Sequence, residues 1–270
     1  MRTLSALSLS LALIAGAAHA GCNGSPSPCE IGDGTYHAVL PEGATGPLPA
    51  LILLHGFTGQ GEDVIRFPPV VEVALKRGYA VIAPDGLLRP NGPGRTWGFH
   101  PDRPARRDEA AFIMAVADDA AARFGVQRER MLLAGFSIGG SQVSYLACKH
   151  PDAFAAYAPV AGNFWRPHPT GCTGPVRLFH THGLADKTVP LEGREVASGF
   201  RQGDVQVALG IWRTTNGCKT DAEKTRIAIF DVQRWTACAP GAEVRFALHD
   251  GGHSIPVGWA DMALDWFEGL

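Results

Sequence analysis

The chain has 270 residues, 46% hydrophobic and 19% charged, with a formal net charge of −2. This balance supports one large buried core and excludes a chain too polar to fold. No block of like charges occurs, so no nucleic-acid partner and no anionic membrane surface is expected.

The first twenty residues read as an export signal. Arg2 supplies a basic start, Leu4 to Ala15 is mostly apolar, and Ala18-His19-Ala20 is an A-x-A cleavage site. The apolar stretch is too short for a membrane span, and no integral membrane segment is expected in the mature chain. Cleavage after Ala20 removes Arg2 and no acid, leaving a formal charge of −3. The expected location is therefore secreted or periplasmic. All six cysteines (Cys22, Cys29, Cys148, Cys172, Cys218 and Cys238) lie beyond the cleavage site, which favours disulfides. Pairing them in sequential order is the simplest of fifteen possible connectivities. Cys22 also stands where a lipoprotein cysteine would, but His19 occupies the place of the usual leucine-like residue.

Residues 21 to 33, rich in Gly, Ser and Pro, read as an irregular leader. Residues 34 to 270 then read as one catalytic domain. "TYHAVL" (35–40) alternates like an edge strand. "PALILLHG" (49–56) and "YAVIAPDG" (79–86) are continuous apolar runs, as expected of strands buried on both faces. "RMLLAGFS" (130–137), "AAYAPVAG" (155–162), "VRLFHTHG" (176–183) and "EVRFALHD" (243–250) follow. Phe112, Ile113, Val116, Ala120 and Phe124 have helical spacing over 108–124. Trp259, Met262, Ala263, Trp266 and Phe267 repeat that spacing in the last helix. Strands alternating with helices predict an α/β fold with a mostly parallel sheet covered on both faces. Residues 85 to 107 form a long Pro/Gly/Arg-rich connection of the kind that is often functional. Only about 15 residues separate the strand ending near Val160 from the one at Val176, too few for a helical cap. An open site walled by the 85–107 loop is expected.

The chemistry starts at Gly135-Phe136-Ser137-Ile138-Gly139, a G-x-S-x-G motif between a strand and a helix-compatible stretch. A nucleophilic serine must project from a sharp strand-to-helix turn where flanking side chains would clash, so glycines flank it. A serine needs a base, and the base an orienting acid, in the chain order Ser, Asp or Glu, His. Asp186 in "GLADKTVP" and His253 in "GGHSIP" each follow a strand and satisfy that order. The oxyanion donors expected are the N–H groups of Ile138 and Phe57, with Thr58 as second choice. His55 reads as structural.

These stretches resemble an α/β-hydrolase of the polyhydroxybutyrate depolymerase and feruloyl esterase type. "LILLHGFTG", "YAVIAPDG", "GFSIGGSQVSYLACKHPDAFAAYAPVAG", "HTHGLADKTVP", "NGC", "WTAC" and "GGHSIP" carry the likeness from about residue 34 to the end of the chain. The resemblance implies hydrolysis of a carboxylic ester through Ser137, Asp186 and His253, with no metal and no cofactor. It also favours a Cys218–Cys238 disulfide. Phe57 departs from the family, which often has a cysteine after its His-Gly. The ester partner expected is small, oligomeric or polymeric: hydroxyalkanoate chains or hydroxycinnamoyl esters. A final helix at "DMALDWFEGL" tilts the expectation toward oligomers and small esters. A serine peptidase or amidase, or a binding domain without catalysis, could share the same fold.

The remaining residues have plainer expected roles. Trp97, His100 and Trp165 are candidates for the substrate wall. Asp108 and Glu109 are expected to cap a helix. His180 and His182, alternating along a strand, are expected to face opposite sides, and so not to share a metal ion. Oligomeric state is not readable.

Overall fold

The computed structural model describes residues 21–103, 105–196, 199–219 and 221–269. The expected export signal, residues 1 to 20, lies outside them. The strands are β1 (Cys29–Ile31), β2 (Gly34–Val39), β3 (Leu48–Leu54), β4 (Ala80–Pro84), β5 (Leu87–Leu88), β6 (Arg95–Thr96) and β7 (Val126–Phe136). They continue as β8 (Ala156–Val160), β9 (Trp165–Arg166), β10 (Arg177–Gly183), β11 (Arg201–Gln202), β12 (Glu223–Ile227), β13 (Phe230–Trp235) and β14 (Glu243–His249). The helices are α1 (Gly61–Ile65), α2 (Pro68–Lys76), α3 (Glu109–Phe124), α4 (Ile138–Lys149), α5 (Val205–Thr215) and α6 (Trp259–Glu268).

Among the described residues, ten strands form one sheet in the order β1-β2-β4-β3-β7-β8-β10-β14-β13-β12. From β4 to β14 every neighbouring pair is parallel, and antiparallel strands flank both edges. The continuous apolar run in β3 explains its central place. Leu51 and Leu53 point to one face, among residues of α1, α2 and α6. Ile52 and Leu54 point to the other, among residues of α3, α4 and α5. A strand covered on both sides cannot carry an alternating polar pattern. Each such leucine or isoleucine contributes roughly 1.5–3 kcal/mol relative to an exposed one.

The expected irregular leader is partly ordered into the sheet. Its last residues form β1, antiparallel to β2, and Ala38 N–H donates to Gly21 C=O. The pairing follows from a covalent link, Cys22–Cys29, which folds 21–31 back over β2. A Cys22 sulfur in this bond is not available for a lipid thioether. Cys148–Cys172 ties the end of α4 to the connection before β10, and Cys218–Cys238 ties the end of α5 to the end of β13.

The 85–107 connection is less open than its composition suggests. β5 and β6 pair within it as a short hairpin. Arginines then bond backbone carbonyls: Arg95 to Gly86, Arg106 to Leu88 and Arg107 to Asp85. Long guanidinium arms here do the work that a strand ladder does elsewhere. Asp108 caps α3 as expected, accepting the Ala111 N–H at 3.0 Å. Glu109 does not act as a cap. It is buried and paired with Arg107 at 2.7 Å, whose guanidinium lies 3.5 Å above the Phe112 ring. Burial raises the Glu109 carboxyl pKa, and the Arg107 charge opposes that shift.

Candidate active site

Three loops leave the same edge of the sheet, at the C-terminal ends of β7, β10 and β14. The β7 loop is the elbow. Ser137 has φ 57° and ψ −120°, a region that side chains other than glycine enter at a cost of about 1–3 kcal/mol. Tight neighbours impose it. A Cβ at Gly135 would lie 2.5 Å from the Gly139 carbonyl oxygen. A Cβ at Gly139 would lie 2.6 Å from the carbonyl oxygens of Leu54 and His55. Both glycines are therefore needed for the close approach of β7, α4 and β3.

The structure brings Ser137, Asp186 and His253 together. His253 Nε2 lies 2.8 Å from Ser137 Oγ, and His253 Nδ1 lies 2.7 Å from Asp186 Oδ2. Asp186 Oδ1 accepts the N–H groups of Thr188 and Val189, both at 2.8 Å. A carboxylate can only accept, so Nδ1 of His253 carries the proton and Nε2 is free to accept one from Ser137. The Phe136 ring packs against the His253 ring, with centroids 4.8 Å apart.

The turn at Gly56-Phe57-Thr58-Gly59 sits beside the serine. A Cβ at Gly56 would stand 3.6 Å from the Ser137 Cβ. Thr58 N–H is occupied, donating to Arg95 C=O at 2.9 Å, which takes it out of contention as an oxyanion donor. Ile138 opens α4, where first-turn N–H groups have no partner within the helix.

Asp85 and His55 support this turn from below. Asp85 accepts the Gly61 N–H at 2.8 Å and the Thr35 hydroxyl at 2.7 Å, and lies 3.5 Å from Arg95 Nε. Burial alone would raise its pKa. The bonds from His37, Gly61 and Thr35 and the Arg95 charge outweigh burial and bring it to about 2. His55 accepts the Gly86 N–H on Nε2 at 3.0 Å, and burial lowers its pKa to about 4. Both groups are held below their unfolded pKa values, so both stabilise at neutral pH. The His55 contribution, about 3 kcal/mol, is lost as pH falls from about 6.5 to 4. The Asp85 contribution, about 2 kcal/mol, is lost as pH falls from about 4 to 2. Burial lowers His180, His182 and His249 as well, and they act in the His55 direction. The urea midpoint should therefore drop between pH 7 and pH 4. A flat midpoint over that range would contradict this account.

Two of the three wall candidates turn out to be supports. Trp97 is 3% exposed, and its indole N–H donates to His55 C=O at 2.9 Å. His100 is buried, its Nε2 facing Arg166 C=O at 3.2 Å while Nδ1 accepts the Asp102 N–H. Each pins the 85–107 loop to a neighbouring element, which buries the side chain. Trp165 remains partly exposed, in an aromatic group with Phe99, His100 and Phe200. Sequence reasoning named Phe57 for its N–H alone and passed over its exposed side chain, together with exposed Leu88, Leu184 and Val257. Their nearness in sequence to the oxyanion turn, the loop hairpin, Asp186 and His253 was the available signal.

His180 and His182 do not face opposite sides. Residues two apart on a strand share a face, and these rings lie parallel with centroids 5.3 Å apart. A carboxylate is also near: Asp186 Oδ2 lies 3.6 Å from His182 Nε2. Among the described residues, no group of three or more His, Cys, Asp or Glu is arranged to hold a metal ion. No described helix is long and apolar enough to cross a membrane.

Residues 35–168 match the model of the family described as Esterase PHB depolymerase. A probable feruloyl esterase C from Aspergillus niger is 26% identical over 275 residues, covering 96% of this chain and 92% of that protein. A putative esterase, NocK, from Nocardia uniformis subsp. tsuyamanensis is 31% identical over 165 residues. That alignment covers 58% of this chain and 44% of NocK, so the chain spans less than half the length of that relative. Among solved structures, an acetyl xylan esterase from Aspergillus awamori superposes with a TM-score of 0.66 at 15% identity. It covers 88% of this chain and 95% of its own. At that identity the likeness is one of fold.

Proposed function

We propose that the chain is an α/β-hydrolase-fold carboxylic ester hydrolase of the polyhydroxybutyrate depolymerase and feruloyl esterase type, working through a serine acyl-enzyme. The observation that carries this reading is the chain of two short contacts, Ser137 to His253 to Asp186, at 2.8 and 2.7 Å. His253 takes the Ser137 proton as Oγ attacks the ester carbonyl. Asp186 holds the imidazole tautomer and stabilises the imidazolium. The N–H groups of Ile138 and Phe57 meet the oxyanion; one such donor is worth about 10²–10³ in rate. His253 then passes its proton to the leaving alcohol, and water releases the acid by the same path.

The proposed substrates are hydroxyalkanoate oligomers or hydroxycinnamoyl esters met outside the cell. Export is supported by the residue 1–20 pattern and by three disulfides. An apolar acyl group is supported by the exposed side chains of Phe57, Leu184 and Val257, each close in sequence to a site residue. The test compares initial rates on p-nitrophenyl esters of rising acyl length, methyl ferulate, 3-hydroxybutyrate oligomers and matched p-nitroanilides. Esters should be cleaved faster than anilides, and a fluorophosphonate should label Ser137 in the folded protein. Anilides cleaved faster than esters, or no labelling, would overturn the reading.

A further inference from the structure

His180 and His182 are buried on β10, 2% and 0% exposed, and the mechanism above uses neither. His182 Nε2 faces two groups that can only accept: Val189 C=O at 2.7 Å and Asp186 Oδ2 at 3.6 Å. That nitrogen therefore carries the proton. Burial keeps both imidazoles neutral by lowering their pKa values. Nδ1 of a neutral His182 can only accept, so His180 Nε2, 3.0 Å away, donates to it. Further charges bear on His182: Asp186 favours its protonation, while His253 and His249 oppose it. The line thus runs in one direction, from His180 to His182 to the Val189 carbonyl.

Val189 is the residue that matters. Its carbonyl is held by His182 and its N–H is given to Asp186 Oδ1 at 2.8 Å. The same peptide segment is gripped from both sides, and the second grip is on the carboxylate that faces His253. Arg194 Nε donates to the neighbouring Thr188 carbonyl at 2.7 Å, from the exposed side of the turn. His182 is the hold from the buried side.

We propose that His182 is a positioning residue for Asp186, fixing the turn that receives the carboxylate, and that His180 sets the tautomer His182 needs. The inference rests on the reading of Ser137, His253 and Asp186 given above. It also gives the buried histidine pair a task that neither core packing nor a metal site requires.

The test uses the full chain with p-nitrophenyl butyrate and four variants. His182→Phe keeps ring volume and removes the donor. Its kcat should fall by about 10- to 100-fold, the size seen when the group orienting a ligating histidine is removed, with KM unchanged. The acidic limb of its kcat/KM profile should move to lower pH, because a displaced carboxylate stabilises the imidazolium less. His182→Gln, which restores a donor at similar reach, should recover most of the rate. His180→Phe, which keeps the packing against Phe246, should show the same changes at smaller size and covers the case in which His182→Phe does not fold. Ser137→Ala runs alongside. If Ser137→Ala stays active, the site reading itself fails. If Ser137→Ala is inactive but the phenylalanine variants keep wild-type kcat and pH profile, the positioning role alone is wrong. A His182→Gln variant as slow as His182→Phe also overturns it, since the role would then be packing.

Discussion

Replacing Ser137 with alanine is expected to lower kcat on p-nitrophenyl butyrate by on the order of 10⁶-fold, the size found when the nucleophile of such a unit is removed. The fold should survive the change. Ser137 Oγ makes no capping bond to α4, and its described partner is His253 Nε2 alone. The strained backbone is held by Gly135 and Gly139 and by the Ser137 N–H donating to Val160 C=O at 2.9 Å, none of which needs the hydroxyl. Circular dichroism and the urea midpoint should therefore match the wild type. Ser137→Gly carries the same loss of rate, and glycine accepts φ 57° at no steric cost. It should be more stable than Ser137→Ala by about 1 kcal/mol. Activity retained in either variant sinks the nucleophile assignment.

The parts legible in the sequence were those with local signatures. The buried parallel strands announce themselves as uninterrupted apolar runs, and α3 and α6 as regular stripes. The order of Ser137, Asp186 and His253 could be read because each follows a strand that must end on the same edge of a parallel sheet. The parts that escaped depend on contacts far apart in sequence. Trp97 and His100 sit in a Pro/Gly-rich loop, where composition cannot tell a wall from a support. Their roles follow from bonds to the carbonyls of His55 and Arg166. Glu109 looked like a helix cap because acids favour first turns, but the Arg107 pair and the Phe112 ring override that preference. The hairpin of β12 and β13 was invisible for another reason. β12 is exposed along its whole length, so "EKTRI" has no apolar face to betray it. By contrast the stripe of Val205, Ala208, Leu209 and Trp212 in α5 was present to be used, with Asp204 as its cap. The histidine pair is a matter of period, since a two-residue spacing on a strand places both rings on one face.

Replacing Asp186 with asparagine should cost about 10⁴ in kcat, through the tautomer rather than through geometry. The turn dictates which way the new amide points. Oδ1 of Asp186 accepts two N–H groups, from Thr188 and Val189, each at 2.8 Å. An asparagine amide nitrogen cannot take that position, because it would set donor against donor. The carbonyl oxygen must stay there, and the NH₂ group must occupy the place of Oδ2, facing His253 Nδ1 at the 2.7 Å contact. A donor there forces Nδ1 to accept, which moves the imidazole proton to Nε2. Nε2 then cannot take the Ser137 proton, and the positive charge that would form on His253 has lost its carboxylate. The substituted amide thus fits the turn and disables the base. Stability at neutral pH should be close to wild type, and KM should change little. Histidine NMR read on Asp186→Asn should show the His253 proton on Nε2 where the wild type carries it on Nδ1. A rate within tenfold of wild type, or an unchanged tautomer, would mean that another group orients His253.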